Sequence, residues 1–490
     1  MSVDLQNPEV VIRERRLGSI VAFSGTGAEL VEKSRGQRLE CQANRFNQCG
    51  DCSGQRAMLP ISQIQDTVMI NHGPVGCAGD FGLFNWQFRR GLTFRGERPR
   101  DIGAISTNLT ERDIVYGGAE KLAKTIREAH GRYKPRAIFV ASSCASGIIG
   151  DDIEEVVNGM ELELGIPVVG VYCEGFKSKI WTTGFDAAYH GIVRKLVKGP
   201  VEIDKKTVNI MGFTSLKTFD PLLGLLGLKP RYLVHQATLE EIGQMSQALA
   251  SSHICETLGT YLARALEQEY GVPELRAPPP FGQDWTDQWL RELGRLAGLE
   301  EKAEEVIASE RKRIEPELNE IREKLAGLRV WTLAGAAFGH NLASIASDLG
   351  LKVIGMLAFH HDQTFDNDYE EINSLKNCLG KVGSVNRYAV CNKQPYQLVN
   401  LLNEAKPDLV LARHGYLPTV PAKMGIPSYF VPETNQHIGY DGLLFAGRKI
   451  LKVLRGGNFV KNIASRAKLP YTDWWRNSDP FYFRETSHGL

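Results

Sequence analysis

The apolar positions of this 490-residue chain fall into two patterns. Short runs are apolar at nearly every position: Val68-Met69-Ile70, Ile138-Phe139-Val140-Ala141, Val168-Val169-Gly170-Val171, Val208-Asn209-Ile210-Met211, Val330-Trp331-Thr332-Leu333, Val353-Ile354-Gly355-Met356-Leu357 and Leu409-Val410-Leu411. Strands of this kind are buried on both faces, as in parallel sheets covered by helices. Between them lie longer mixed segments that close on Gly, one apolar residue, then Pro or Lys. Examples are Gly165-Ile166-Pro167, Gly227-Leu228-Lys229-Pro230, Gly271-Val272-Pro273, Gly350-Leu351-Lys352 and Gly425-Ile426-Pro427. The glycine is a left-handed helix stop, and the next buried strand follows. The alternation predicts an α/β protein of three Rossmann-like, doubly wound domains with parallel sheets. Ligands of such folds sit at the carboxyl ends of the strands, where Cys144, Cys173 and Gly335-Ala336-Ala337 fall.

The expected divisions are an N-terminal arm over 1–40, domain I over 41–205, domain II over 206–327, domain III over 328–468 and a tail over 469–490. The arm has little periodicity and reads as a segment that wraps a partner or is partly mobile. A charged helix from about Asp287 to Lys324 separates domains II and III, its Glu, Lys and Arg forming a solvated face. Trp474, Trp475, Phe481 and Phe483 make the tail too aromatic for a loose end, so it is expected to dock on a partner or on its own body.

Composition narrows the classes. A net charge of +1 gives no support to a nucleic-acid surface. No apolar run reaches the ~18 residues of a membrane span. Met1 to Arg16 is polar and lacks the apolar core of a signal peptide. The expectation is a cytoplasmic protein with reduced thiols, and nine cysteines, an odd number, agree. The sequence holds no G-x-x-x-x-G-K-[ST] phosphate loop, so any ATP would act on another protein.

The chemistry is carried by thiols. Cys77 ends the turn His72-Gly73-Pro74-Val75-Gly76-Cys77; Cys52 precedes it and Cys144 follows the run Ile138 to Ala141. Each is near a strand end or on a loop, where backbone N–H groups are left for anionic sulfides, which points to part of an iron–sulfur site. Ordinary buried thiols are the alternative. Cys49-Gly50-Asp51-Cys52 has no second pair to complete a zinc site. Cys255 stands just before a helix expected from Thr260 to Tyr270, where the N-terminal dipole favours thiolate.

In order and spacing, Cys52, His72 to Cys77, Cys144 to Ile153, Cys173-Glu174-Gly175-Phe176, Cys255 and Gly439-Tyr440-Asp441-Gly442 resemble the catalytic α-subunit of nitrogenase component 1 over roughly 45–455. The resemblance implies that Cys52, Cys77 and Cys144 hold the α half of an [8Fe-7S] P-cluster-type centre shared with a β-type subunit. It implies an α2β2 heterotetramer fed by an ATP-dependent iron–sulfur reductase homodimer, with clusters between domains and at the subunit interface. It makes Cys255 the thiolate on one end iron of a large iron–sulfur cofactor. The family's other cofactor ligand is a histidine immediately before Gly-Phe-Asp-Gly. Here His437 stands one position earlier, with Ile438 between. His437 is the candidate second ligand, with His360, His361 and His340 as alternatives. His360 and His361 are also candidate proton sources.

The departures from nitrogenase bear on function. Counting from Cys-Glu-Gly-Phe, Trp181 replaces a glutamine near homocitrate and Phe185 a histidine that donates to a cofactor sulfide. Phe338 replaces an arginine of Gly-Gly-Leu-Arg-Pro-Arg. A buried tricarboxylate without charge-assisted donors is expensive, so the expected cofactor is all-iron and lacks homocitrate. The segment Gly175 to Asp186 resembles the catalytic D-type subunit of the methylthio-alkane reductases, which cleave C–S bonds of small volatile organic sulfides such as dimethyl sulfide. The rival readings are a cofactor-assembly scaffold, a nitrogenase with an unusual pocket, and a tetrapyrrole reductase.

Overall fold

Thirteen strands among the described residues form three sheets. The computed structural model describes residues 3–42, 52–199, 202–212, 216–366, 369–391, 395–414, 418–432 and 434–479. Strand β1 (Ala22–Gly25) comes early but belongs to the last sheet. The first sheet holds β2 (Thr67–His72), β3 (Gly103–Ser106), β4 (Ala137–Ser142) and β5 (Val168–Val171), in the order β3-β2-β4-β5, all parallel. The second holds β6 (Asp204–Met211), β7 (Lys229–Leu233) and β8 (Ala248–His253), ordered β7-β6-β8, also parallel. The third holds β9 (Arg329–Ala334), β10 (Lys352–Ala358), β11 (Tyr388–Cys391), β12 (Leu409–Ala412) and β13 (Ser428–Phe430) beside β1, ordered β1-β11-β10-β9-β12-β13. Only the β1–β11 pair in it is antiparallel.

Packing groups these sheets into two compact units. The first comprises Met1–Arg16, Asp51–Ile254 and Leu258–Glu274, and so contains the first two sheets. The second comprises Leu17–Gly50, Cys255–Thr257 and Leu275–Leu490. In the first unit, the apolar stripe Leu122, Ile126 and Ala129 of the helix Ala119–Tyr133 packs on Val68, Ile70, Ile138 and Val140 of the central strands. This helical 3.6-residue spacing against strands buried at every position makes the covered layer expected of a parallel sheet.

Two expectations, the arm and the charged helix, differ in the structure. Residues 17–42 form no loose arm: β1 pairs with β11 from Ala22↔Cys391 to Gly25↔Tyr388, and Thr26 caps the helix Gly27–Arg35. Four strand residues are too few to show a period. Residues 3–16 are anchored on the first unit, where buried Arg13 donates to both oxygens of buried Asp186 at 2.7 Å and Arg16 joins at 2.5 Å. The single charged helix expected from Asp287 to Lys324 is two, Gln283–Ala297 and Glu300–Leu325, parted at Gly298 with φ 66°. The tail docks on its own unit as far as Asp479: Trp475 meets Tyr396 edge-on at 5.2 Å, and Asn400 donates to the Ser478 carbonyl at 2.6 Å. Phe481 and Phe483 lie outside the described residues, as does Cys49.

Candidate metal centres

The first unit brings Cys52, Cys77 and Cys144 together. Cys52 occupies the N-cap of the helix Ser53–Ser62. β2 ends at His72 and turns through Gly73 and Pro74 into the short 3-10 turn Val75–Ala78 that carries Cys77. β4 ends at Ser142; Ser143 then caps the helix Cys144–Ile149, its hydroxyl accepting from the Ser146 N–H. The loop after β5 seats Gly175 against two of the thiols. A Cβ there would stand 2.5 Å from the Cys52 Sγ and 3.5 Å from the Cys144 Sγ, so those sulfurs lie within about 6 Å of each other. Burial holds the Cys77 thiol above its ordinary range, and the Cys144 and Cys52 charges add to this, so Cys77 is within electrostatic reach of both.

All three thiols are half-buried. Among the described residues no three Cys, His, Asp or Glu side chains converge closely enough for one metal ion. Sulfurs spaced this way, each free to meet a different metal, suit a polynuclear iron–sulfur cluster instead. Gly175 keeps side-chain bulk out of the space between the Cys52 and Cys144 sulfurs, and the segments that carry the site also expose apolar residues: Val75 at 65%, Ile148 at 73% and Phe176 at 57% exposure.

A buried brace that sequence reasoning missed ties two of these loops. His72 Nε2 meets Asp151 Oδ2 at 2.9 Å, and its Nδ1 meets the Thr107 hydroxyl at 3.2 Å. Asp151 also accepts from the Gly118 N–H at 2.8 Å. The end of the Cys77 strand is thereby joined to the residue that follows the Cys144 helix. Both members sit in the motifs already singled out; that they meet across 79 positions is a tertiary fact.

The second unit holds Cys255 and His437. Cys255 is buried and immediately precedes the helix Glu256–Tyr270, which starts four residues earlier than expected. His437 is 1% exposed; its Nε2 meets the Tyr429 hydroxyl at 2.9 Å, and Phe445 packs edge-on at 5.4 Å. Its Nδ1 is buried and has no hydrogen-bond partner. A buried imidazole with one nitrogen fixed by a hydrogen bond and the other open is the donor set of a metal ligand. Desolvation pushes its pKa down to about 3, with Arg413 adding to the effect, so the ring is neutral. The Gly-Tyr-Asp-Gly motif positions it: a Cβ on Gly442 would stand 2.2 Å from the His437 carbonyl carbon, so only glycine admits this backbone. The Cys52, Cys77 and Cys144 set thus fits an iron–sulfur cluster, and His437 offers an open ligand nitrogen in the second unit.

The three substituted aromatics are buried, and two carry a guanidinium. Trp181 lies edge-on to Phe185 at 6.1 Å, Phe185 against Tyr189 at 6.5 Å, and Arg56 over the Trp181 ring at 5.9 Å. Phe338 packs edge-on to Phe281 at 5.3 Å, with the Arg413 guanidinium 3.6 Å from its ring centre. The sequence reading of position 338 as a lost cation is therefore incomplete, because β12 brings one back. The other histidines are engaged in the third sheet's surroundings. His360 Nδ1 is 3.3 Å from Asp362, and His361 Nε2 is 2.7 Å from the Ser34 hydroxyl in a cavity of about 230 Å³. Both ring nitrogens of His340 are taken, by Ser374 at 2.8 Å and Tyr388 at 2.7 Å, which leaves none for a metal.

The chain superposes on a solved structure titled "Nitrogenase Cp1 at pH 5" with a TM-score of 0.69, covering 91% of this chain and 100% of that one, at 22% identity. A model of the nitrogenase component 1 type oxidoreductases matches residues 52–455, and the chain belongs to that family. It is 29% identical over 406 residues to the nitrogenase molybdenum–iron protein alpha chain of Methanothermobacter thermautotrophicus, covering 79% of this chain and 83% of that protein. It is 32% identical over 388 residues to the nitrogenase iron–molybdenum cofactor biosynthesis protein NifE of Methanococcus maripaludis, covering 76% of each. Membership implies iron–sulfur clusters, a β-type partner subunit and a separate reductase. Among the described residues no helix is long and apolar enough to cross a membrane.

Proposed function

We propose that this chain is the catalytic α-type subunit of a nitrogenase-like reductase that cleaves C–S bonds of small methylthio-alkanes. For dimethyl sulfide, two electrons and two protons break one C–S bond and give methanethiol and methane. The observation that carries the reading is that Trp181 and Phe185 in the first unit and Phe338 in the second are each buried aromatics at positions that are polar in the resembled nitrogenase. Aromatic side chains bury apolar substrate surface at roughly 25 cal/mol per Å², and Trp181, Phe185 and Phe338 themselves supply none of the charge-assisted donors that an organic acid needs. The replaced glutamine, histidine and arginine positions support an all-iron cofactor without homocitrate in this reading.

Cys52, Cys77 and Cys144 would hold the chain's half of a P-cluster-type [8Fe-7S] centre. Their half-burial beside exposed Val75, Ile148 and Phe176 suits a cluster completed by the β-type subunit of an α2β2 assembly. Cys255 and His437 would hold the catalytic cofactor, His437 through its open Nδ1. When bound, these groups supply low-potential electrons delivered by the ATP-dependent reductase homodimer. His361, lining its cavity beside Ser34, is the candidate entry point for protons.

The test restores polarity at the walls. Trp181→Gln and Phe185→His, singly and together, should lower methanethiol release from dimethyl sulfide more than tenfold, about 1.4 kcal/mol in the barrier, with bound iron unchanged. Unchanged release refutes the role of the walls. The NifE likeness favours a second reading, a cofactor-assembly scaffold, at 32% identity over 76% of the chain; a scaffold would release no thiol.

A further inference from the structure

The wall beside His437 contains a buried cation that no motif flags. Arg413 is the first residue past β12 and is 3% exposed. Its guanidinium lies 3.6 Å from the Phe338 ring centre, and Nη1 donates to Asn435 Oδ1 at 3.0 Å. Asn435 is itself fully buried and stands two residues before His437. One side chain therefore links the aromatic wall at 338 to the loop that carries the candidate ligand.

The charge is permanent, since a guanidinium keeps its proton throughout the range in which proteins stay folded. It is also desolvated, and a charge in a low-dielectric wall acts on its neighbours far more strongly than one in water. The open, buried Nδ1 of His437 marks this wall as one that faces a ligand. A sulfide-rich iron cluster is anionic, and its potential depends on net charge, hydrogen bonds to sulfur and exposure. A fixed cation beside it favours the reduced, more negative form.

We propose that Arg413 is the charge partner of the cofactor held by Cys255 and His437: it raises that cofactor's reduction potential and, through Asn435, orients the His437 loop. Arg413 is a positioning residue in this account. The proposal rests on the reading that a cofactor is bound there, and the two separate experimentally.

The test uses the full chain purified anaerobically with its β-type partner. Arg413→Met keeps packing on Phe338 and removes the charge; Arg413→Lys keeps the charge and removes the planar fork. Redox titration followed by electron paramagnetic resonance reads the signal that Cys255→Ala abolishes. In Arg413→Met that signal should shift to more negative potential, or the cofactor iron should be lost. Arg413→Lys should keep both near the parent values, and the signal of the Cys52/Cys77/Cys144 centre should stay put in every variant. Potential and iron unchanged in Arg413→Met overturn the proposal, as do equal shifts or equal losses in Arg413→Met and Arg413→Lys. If Cys255→Ala abolishes no signal at all, the cofactor reading has failed and the proposal falls with it, whatever Arg413 does.

Discussion

Gly175 shows how closely the Cys52/Cys144 loops are built. Its missing side chain leaves room between the sulfurs of Cys52 and Cys144, and a Cβ would stand 2.5 Å from one of them. Gly175→Ala should therefore lower cluster iron with little effect on the fold, because the residue lies in a half-exposed loop. Iron analysis beside a circular dichroism melt checks this; full iron in the variant contradicts it. Cys255→Ala should in turn delete the signal of the proposed catalytic cofactor and leave that of the Cys52/Cys77/Cys144 centre, and a retained cofactor signal would count against Cys255 as its ligand. The thiols were legible in the sequence because their spacing from strand ends is local. Arg413 and the His72–Asp151 pair were not, because each acts through residues far off in sequence: Phe338 lies 75 positions before Arg413, and Asp151 lies 79 after His72. Arg413 did leave one trace, its place at the carboxyl end of a strand, where ligands of such folds are met.

Among the elements, the buried parallel strands were the easiest to read, because apolar runs at every position leave few alternatives. Their helix stops followed from the same punctuation: Gly165 and Gly227 end their helices at φ 67° and 78°. Edge strand β1 escaped notice because it is short and joins by antiparallel pairing to a strand 366 positions on. Two histidines around the third sheet make its stability depend on pH. Desolvation pushes His340 down to about 3 and His361 down to about 4. Unfolded, each returns to about 6.5 and takes up a proton that the folded chain refuses. From about pH 6.5 down to 4 the unfolded state therefore binds more protons, and stability falls as pH falls, by at most about 1.4 kcal/mol per unit for each histidine. Denaturant midpoints should drop between pH 7 and pH 5, and His340→Asn should flatten the slope. A midpoint independent of pH over that range contradicts the assignment.

At the scale of the whole molecule, the family follows from a match across residues 52–455, while the reaction turns on a few side chains. The relatives include both a nitrogenase alpha chain and a cofactor-biosynthesis protein, at 29% and 32% identity, so overall similarity does not choose between turnover and assembly. The aromatic replacements at Trp181, Phe185 and Phe338 are what the proposed turnover of a soft, uncharged substrate rests on. The most direct measurement mixes the anaerobically purified complex with its reductase, ATP and dimethyl sulfide under dinitrogen, and follows methanethiol, methane and ammonia together. The account predicts methanethiol and methane in equal amounts, dependent on ATP, with ammonia far below them; ammonia as the main product, or no thiol from a fully iron-loaded complex, would contradict it.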